Sequence, residues 1–205
     1  LVQSGVIGKV KEVHTWSSKK WGDTGRPPAS NDPVPETLNW DLWLGVSAER
    51  PFVKGYYHPS NWRKRLDFGT GTFGDMGCHI FDPVFEALAL TSPLSLRSEG
   101  PAPDQWNWAI NARIRYVFPG TPFTADKTVP VTWYDGDERP PADIQALVKE
   151  ALTADGSAAG AKGKAGKRKA DPDNQGSIII GTAGVLHVPH VGAPKLFPAA
   201  KFKDY

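Results

Sequence analysis

A glycine-rich loop that leads directly into an apolar, helix-spaced segment is the feature that most constrains this chain. Glycine stands at positions 69, 71, 74 and 77, so the backbone there can turn tightly and approach other groups closely. The apolar residues after the loop recur as on one face of a helix; they are Ile80, Phe81, Val84, Phe85, Leu88 and Leu90. Pro83 lies inside this helix and its ring clashes with the carbonyl of His79, four residues earlier. We therefore expect a helix that is kinked near Pro83 or whose regular part begins close to it.

An acid and an imidazole, Asp75 and His79, stand four residues apart at the start of this helix. Residues at this spacing share one helical face, about one turn apart. Three interpretations are compatible with the spacing: a metal site completed by Asp82, a proton-transfer pair, or a local role in which Asp75 lies near the positive end of the helix dipole. Spacing alone favours the local role and leaves the other two open.

The same glycines also match the pattern G-x-G-x-x-G, through Gly69, Gly71 and Gly74. A dinucleotide-binding turn of this kind needs an apolar strand before it and an acid about 20 residues after it. The preceding residues 61–68 are too charged for a buried parallel strand, and the region around Thr91 offers no acid at that distance. We therefore reject the dinucleotide-binding interpretation of this motif.

The segment from Asn61-Trp62-Arg63 to His79 resembles the catalytic motif of the Gfo/Idh/MocA oxidoreductases, which include glucose-fructose oxidoreductase and inositol dehydrogenase. The pattern in that family is a glycine triplet followed by D-x-G-x-H. Asp75, Gly77 and His79 match the second part, while Thr70 interrupts the triplet. Residues 4–10 are similar to the start of that family's second domain, and residues 181–186 are similar to one of its late segments.

The resemblance implies a function and a set of site residues. The catalytic residues would be Asp75 and His79, together with a lysine from another domain. The residues implied in substrate binding are His58, Trp62, Arg63 and Asp67. The reaction would be NAD(P)-dependent oxidation of a hydroxyl on a sugar, a sugar derivative or a cyclitol. Two alternatives stay open: glycoside cleavage through a transient keto-sugar with bound NAD, and a non-catalytic sugar-binding or assembly domain.

The resemblance also implies a domain organisation. Residues 1–205 would form the substrate-binding and oligomerisation domain, and we expect a Rossmann domain that binds NAD or NADP to precede Leu1. The chain alone would then be incomplete and inactive. The expected partners are the small-molecule substrate and further copies of the same chain, which would associate through an open sheet face.

Composition agrees with one soluble-type domain and predicts few partners. The length of 205 residues permits one sizeable core, and a net charge of +2 predicts no nucleic-acid partner. The single cysteine, Cys78, excludes an internal disulfide. No apolar run approaches the ~20 residues of a membrane span, so we expect no membrane partner. The compartment, cytoplasm or periplasm, stays open because no targeting segment is visible.

The alternation of residue types predicts an α+β fold, a mainly antiparallel, open-faced sheet with helices on one face. We expect a half-buried strand at 10–16, a long proline-rich loop at 17–39, and a short helix from Trp40 that Gly45 closes. The other expected elements are strands at 94–100, 106–118 and 128–134, a helix at 142–152, and strands at 177–180 and 184–188 around a Gly-Thr-Ala-Gly turn. Residues 154–175 are rich in Ala, Gly and Lys, and we expect a low-complexity surface excursion there that trypsin cleaves within 158–170.

Overall fold

A seven-stranded sheet forms the centre of the computed structural model, which describes residues 1–153, 175–203 and 205. Its strands are β1 (Val10–Ser17), β2 (Ser95–Glu99), β3 (Arg113–Pro119), β4 (Thr128–Asp135), β5 (Gln175–Gly181), β6 (Val185–Pro189) and β7 (Lys195–Phe197). They lie in the order β2-β3-β4-β1-β5-β6-β7. β1 runs parallel to β4, and the other neighbouring pairs are antiparallel. The predicted α+β class with a mainly antiparallel sheet is confirmed.

In the described part of the chain, four α-helices connect or cover the strands. They are α1 (Trp40–Leu44), α2 (Gly71–Ile80), α3 (Asp82–Ala87) and α4 (Ala142–Thr153), and short 3₁₀ helices lie at Asn61–Lys64 and Ala199–Lys201. As predicted, Gly45 closes α1, with its backbone N–H donating to the carbonyl of Asp41. The predicted break at Pro83 is also present, because α2 ends at Ile80 and Pro83 lies in the first turn of α3. Asp75 and His79 therefore both lie within the regular part of α2.

The first face of the sheet carries the larger core, beneath α2 and α3. Met76 and Ile80 of α2 pack on Trp133 of β4. Val84 and Leu88, from α3 and the residue after it, join the main cluster of buried side chains on this face. The strand residues of that cluster come from five strands; they are Val10, Val13, Phe118, Val129, Val131, Ile179 and Leu186. This packing fixes α2 against the middle of the sheet.

Among the described residues, the second face is covered only in part, by α4. Ile144 and Val148 of α4 pack against Trp16, Tyr134 and Ile178. The prediction of helices on one face is therefore wrong for α4, because the apolar stripe of this helix finds an apolar patch on β1 and β5. On β2 and β3 the same face stays open and carries charged side chains; they are Arg97, Glu99, Arg113 and Arg115.

The central strand β1 is buried on both faces, which corrects the prediction of a half-buried strand. From Val13 to Ser17 every residue is buried, although their side chains alternate between the two faces. The sequence alternates apolar and polar residues here, and His14, Thr15 and Ser17 are nevertheless enclosed. These residues are buried because β4 and β5 flank β1 and because helices pack on both faces of the sheet there. The sequence of β1 itself does not show that such helices will cover it.

The remaining strand predictions were correct except near residue 106. The expected strands at 94–100, 128–134, 177–180 and 184–188 correspond to β2, β4, β5 and β6, and the expected helix at 142–152 to α4. The strand predicted from Trp106 begins only at Arg113, because Asn111 takes a left-handed backbone conformation with φ of 71°. β7 was not predicted. The expected surface excursion covers residues 154–175, of which 154–174 lie outside the described part of the chain and Gln175 begins β5.

A long arm, residues 18–70, contains no strand and packs its aromatic rings together. Trp40 stacks on Trp43 with ring centroids 4.9 Å apart, and Phe68 lies 4.9 Å from Trp43. The buried Arg65 ties this arm to the segment before β3, since its guanidinium donates to the Asn107 side chain. The arm thereby delivers residues 61–64 next to α2. Within the described residues, no helix has the length and hydropathy needed to cross a membrane.

Candidate functional site

The glycines that precede α2 are required by close packing of the protein on itself. A Cβ added at Gly69 would lie 2.5 Å from the Cα of Arg63, and one at Gly71 would lie 3.1 Å from the Trp108 side chain. Gly71 also has a φ of +66°, which L side chains rarely adopt. Trp108 further donates its indole N–H to the carbonyl of Gly69 at 2.7 Å. These contacts explain the glycines without a bound pyrophosphate, and the segment before them is a 3₁₀ helix rather than a strand. The structure thus agrees with the rejection of a dinucleotide-binding turn.

Asp75 is held by Arg63. The Nε of Arg63 donates to Oδ1 of Asp75 at 2.6 Å, and both side chains are partly buried. The guanidinium carbon of Arg63 lies 4.5 Å from the ring centroid of Trp62 and 5.2 Å from that of Trp21. Two aromatic rings and a charge-assisted hydrogen bond thus fix the guanidinium, which in turn fixes the carboxylate.

His79 is exposed and lies beside a second imidazole. Its ring centroid is 5.4 Å from that of His190, at a steep interplanar angle of 61°. His190 comes directly after β6, and its backbone N–H donates to the carbonyl of Gln175 at 3.1 Å. Burial lowers the pKa of His190, and the neighbouring His79 and Lys19 lower it further. The strand end after β6 therefore brings a second, partly buried base to α2.

The segment that follows β1 is attached to α2 through Thr72. The Thr72 hydroxyl donates to the carbonyl of Lys19 at 3.3 Å and accepts from the backbone N–H of Trp21 at 2.9 Å. The indole N–H of Trp21 is buried and has no hydrogen-bond partner among the described residues. Lys19 and Trp21 thus flank the same helix that carries Asp75 and His79.

The structure brings four of the six predicted site residues together and places two elsewhere. Arg63 packs on Trp62 and pairs with Asp75 in the middle of α2, and His79 lies four residues further on, in the last turn of the same helix. His58 is exposed and lies against the Trp43 ring, with centroids 6.3 Å apart. Asp67 pairs with Arg50, whose Nη2 lies 2.6 Å from its Oδ2. Both belong to the arm, and their role in substrate binding stays a prediction.

Sequence reasoning left His190 and Trp21 undecided and did not single out Lys19. His190 follows a strand that pairs with β5, and Lys19 and Trp21 follow a central strand, so their positions depend on the register of the sheet. The one available signal was their place directly after strands whose ends lie near α2. The convergence of side chains at strand ends can be predicted only when the strand order is known.

The metal interpretation of Asp75, His79 and Asp82 finds no geometric support. Within residues 1–153, 175–203 and 205, no three side chains of His, Cys, Asp or Glu are grouped so that they could hold a metal ion. One carboxylate oxygen of Asp75 instead accepts a hydrogen bond from Arg63, and the neighbour of His79 is the imidazole of His190. The arrangement is that of a fixed carboxylate and an accessible base on one helical face.

A family model matches the first part of the chain. The family model described as the C-terminal alpha/beta domain of an oxidoreductase family, Gfo/Idh/MocA, matches residues 1–121. The match includes β1, β2, β3 and the helices α1 to α3, and therefore both Asp75 and His79. The fold and the match define a C-terminal domain of an oxidoreductase. The chain belongs to the Gfo/Idh/MocA family, and no curated protein matches it.

Two further segments that resemble this family lie against each other. The backbone N–H of Thr182 donates to the carbonyl of Lys9 at 2.8 Å, and that of Ala183 donates to the carbonyl of Ile7 at 2.9 Å. Gly8 allows this approach, because a Cβ there would lie 2.2 Å from the Thr182 hydroxyl. The segments at 4–10 and 181–186 thus form one structural unit at the end of the sheet.

Proposed function

We propose that this chain is the substrate-binding and proton-transfer domain of an NAD(P)-dependent oxidoreductase acting on a hydroxyl of a sugar, a sugar derivative or a cyclitol. The observation that carries the proposal is the pair of residues on α2, a carboxylate fixed by Arg63 and an exposed imidazole one turn further on. Membership of an oxidoreductase family supplies the reaction class. The substrate class comes from the resemblance of the D-x-G-x-H segment.

In this proposal His79 is the general base. Its imidazole accepts the proton of the substrate hydroxyl while the carbon of the same C–OH group loses a hydride and becomes a carbonyl carbon. The exposure of His79 leaves the ring open to a substrate. Asp75 accepts a hydrogen bond from the substrate and orients it, and Arg63 keeps that carboxylate in one position.

The cofactor is the group that accepts the hydride when it is bound. The segment of Gly69, Gly71 and Gly74 does not fit a pyrophosphate, because Arg63 and Trp108 pack directly against these glycines. The proposal therefore assigns nucleotide binding to another domain. We expect residues 1–205 alone to bind NAD(P) weakly, and micromolar affinity by calorimetry would contradict the assignment of nucleotide binding to another domain.

The test of the function is His79→Ala in the complete protein. Turnover should fall by about 10²–10⁴-fold, the usual contribution of general acid–base catalysis, while folding is retained. Cys78→Ala is the matched control, since Cys78 is the neighbouring exposed residue of α2 and has no proposed role. A folded His79→Ala variant with turnover close to the wild type would end the catalytic assignment.

The products separate this proposal from its alternatives. Net nucleotide reduction with a free sugar supports the dehydrogenase. Release of an aglycone without net reduction would indicate glycoside cleavage through a keto-sugar. Sugar binding with neither result would indicate a non-catalytic domain.

We also propose that copies of the chain associate through the open face of β2 and β3. Arg97 is largely exposed there, and Arg115 reaches Glu99 at 3.1 Å across the strand pair. Sheet faces with partly paired charges of this kind suit an interface with a charged rim. The test is light scattering of Arg115→Glu, which should lower the oligomer mass; an unchanged mass would place the interface elsewhere.

A further inference from the structure

An excess of basic side chains surrounds the exposed end of α2. His79, His190 and Lys19 come from three different parts of the chain, namely α2, the end of β6 and the segment after β1. The two imidazole rings are 5.4 Å apart. Lys19 comes two residues after Ser17, whose hydroxyl donates to the Gln175 side chain at 3.0 Å, and the carbonyl of Gln175 accepts from the backbone N–H of His190. Three separate elements therefore deliver a basic group to one place.

The nearest carboxylate of α2 does not offset these bases. Asp75 accepts the Nε hydrogen of Arg63 at 2.6 Å, so its charge is already matched by a cation. The groups that shift the pKa of His190, apart from burial, are His79 and Lys19, and both are basic. Asp82, at the start of α3, is exposed to solvent. Lys20, the residue after Lys19, is directed elsewhere, since its ammonium pairs with Asp137 at 2.6 Å.

An anion stabilises the protonated form of a partly buried imidazole that lies beside a cation, as His190 does beside Lys19. An oxyanion placed beside Lys19 and His190 would pair with the ammonium and favour the protonated form of His190, while His79 stays available as the base. A neutral sugar hydroxyl can accept hydrogen bonds at the same place but leaves the positive potential unmatched. The charges therefore discriminate between substrates that share a ring and differ in one substituent.

We propose that the site selects an oxyanion-bearing substrate, a sugar acid or a sugar phosphate, and that Lys19 and His190 bind its anionic group beside the hydroxyl facing His79. This proposal rests on the proposed function for the position of the reacting hydroxyl. Lys19 supplies a full positive charge on a flexible stem. His190 supplies an imidazole held in place by the end of β6.

The experiment compares three probes in the complete protein, D-glucose, D-glucuronate and D-glucose 6-phosphate, which differ only at C6. Binding is measured by calorimetry without turnover, at low and at high ionic strength. At least one of the two anions should bind about threefold to tenfold more tightly than glucose, as expected for a few exposed charge pairs. The preference should shrink at high salt, and the more favoured anion identifies the source as carboxylate or phosphate.

Matched variants assign the effect to Lys19. Lys19→Met should remove most of the anion preference, while Lys20→Met, one residue away and paired with Asp137, should keep it. In the wild type the favoured anion should raise the pKa of His190, observed through its imidazole NMR signal, because an anion stabilises the charged ring.

Several results would overturn the proposal. The first two are equal affinity for all three probes and no measurable binding of any probe. The third is an equal loss of the anion preference in Lys19→Met and Lys20→Met. The fourth is a Lys19→Met variant that loses NAD(P) affinity and keeps its preference for the anionic sugar. Because binding is measured directly, these results differ from a failure of the dehydrogenase assignment, which would appear as absent hydride transfer despite a retained anion preference.

Discussion

Two arginines separated by one residue, Arg63 and Arg65, serve different purposes. Arg65 is only 4% exposed, and its guanidinium lies 3.5 Å from the centroid of the Tyr56 ring. It donates to the side chain of Asn107 and to the carbonyl of Tyr56, and it pairs with Asp23 at 3.1 Å. Arg63 remains partly exposed and has one carboxylate partner, Asp75. Burial and the number of partners therefore distinguish Arg65, which holds the arm in place, from Arg63, which holds the Asp75 carboxylate.

The largest expected effect is on stability, from Arg65→Met. The substitution keeps an apolar stem but leaves the Tyr56 carbonyl without its donor, and it leaves the Asn107 oxygen with only the 3.5 Å hydrogen bond from the Tyr56 hydroxyl. The free energy of unfolding should fall by about 3 kcal/mol, since buried acceptors lose charge-assisted hydrogen bonds. Urea unfolding measures this loss. A decrease below about 1 kcal/mol would mean that Arg65 does not anchor the arm.

His187 is a buried base whose ring nitrogens lack hydrogen-bond partners among the described residues, and it contrasts with the buried, well-partnered Arg65. His187 is fully buried and stacks on Trp16 with centroids 6.0 Å apart. Burial is the main cause that lowers the pKa of His187 from 6.5 to about 4, and the charge of Lys195 is the second. Because the folded-state pKa lies below the unfolded one, folding favours the neutral ring.

The stability contributed by neutral His187 should therefore be complete above the unfolded pKa of 6.5 and be lost as the pH falls toward about 4. The loss should be on the order of 3 kcal/mol across this window. Urea unfolding of the wild type at a series of pH values, beside His187→Phe, measures it. The phenylalanine variant keeps a ring against Trp16 and should show a flatter profile. Identical slopes in the two proteins would assign the pH dependence to other groups.

The smallest expected effect on stability comes from Arg63→Met. Its ion pair with Asp75 is partly exposed, so the free energy of unfolding should change by less than about 1 kcal/mol. Turnover should nevertheless fall about tenfold, because Asp75 loses the cation that fixes its position. Lys64→Met, at the intervening residue, is the control and should retain activity. If Arg63→Met destabilised the protein as much as Arg65→Met, the distinction between the two arginines would fail.

The fold was predictable where periodicity is local and unpredictable where packing partners are distant. α1, α4 and most strands follow from apolar spacing and from breakers such as Gly45 and Pro83. β7 is three residues long and lies between Pro194 and Pro198, so it offers too little sequence for a strand pattern. The burial of β1 on both faces depends on α4, more than 100 residues later in the chain.

The same limit applies to the candidate site. The D-x-G-x-H spacing predicts that Asp75 and His79 share a helical face, because both lie in one element. Their actual neighbours, Arg63 and His190, lie in other elements, and no spacing rule connects a residue of α2 with one that follows β6. Asp67 illustrates the converse, since it adjoins the glycine loop in sequence yet pairs with Arg50 in the arm.

The parallel pairing of β1 with β4 has a consequence for biosynthesis. Val13 lies opposite Val131 on one side and Ile179 on the other, so β1 waits for partners that leave the ribosome much later. Until then its apolar residues have no sheet to join, and such non-local pairing slows folding and leaves nascent chains prone to association. His190, which follows β6, can reach α2 only after β5 and β6 are in place. Ribosome-bound chains that stop before β5 should therefore be sensitive to proteases throughout β1, and they should become protected only when β5 has been synthesised.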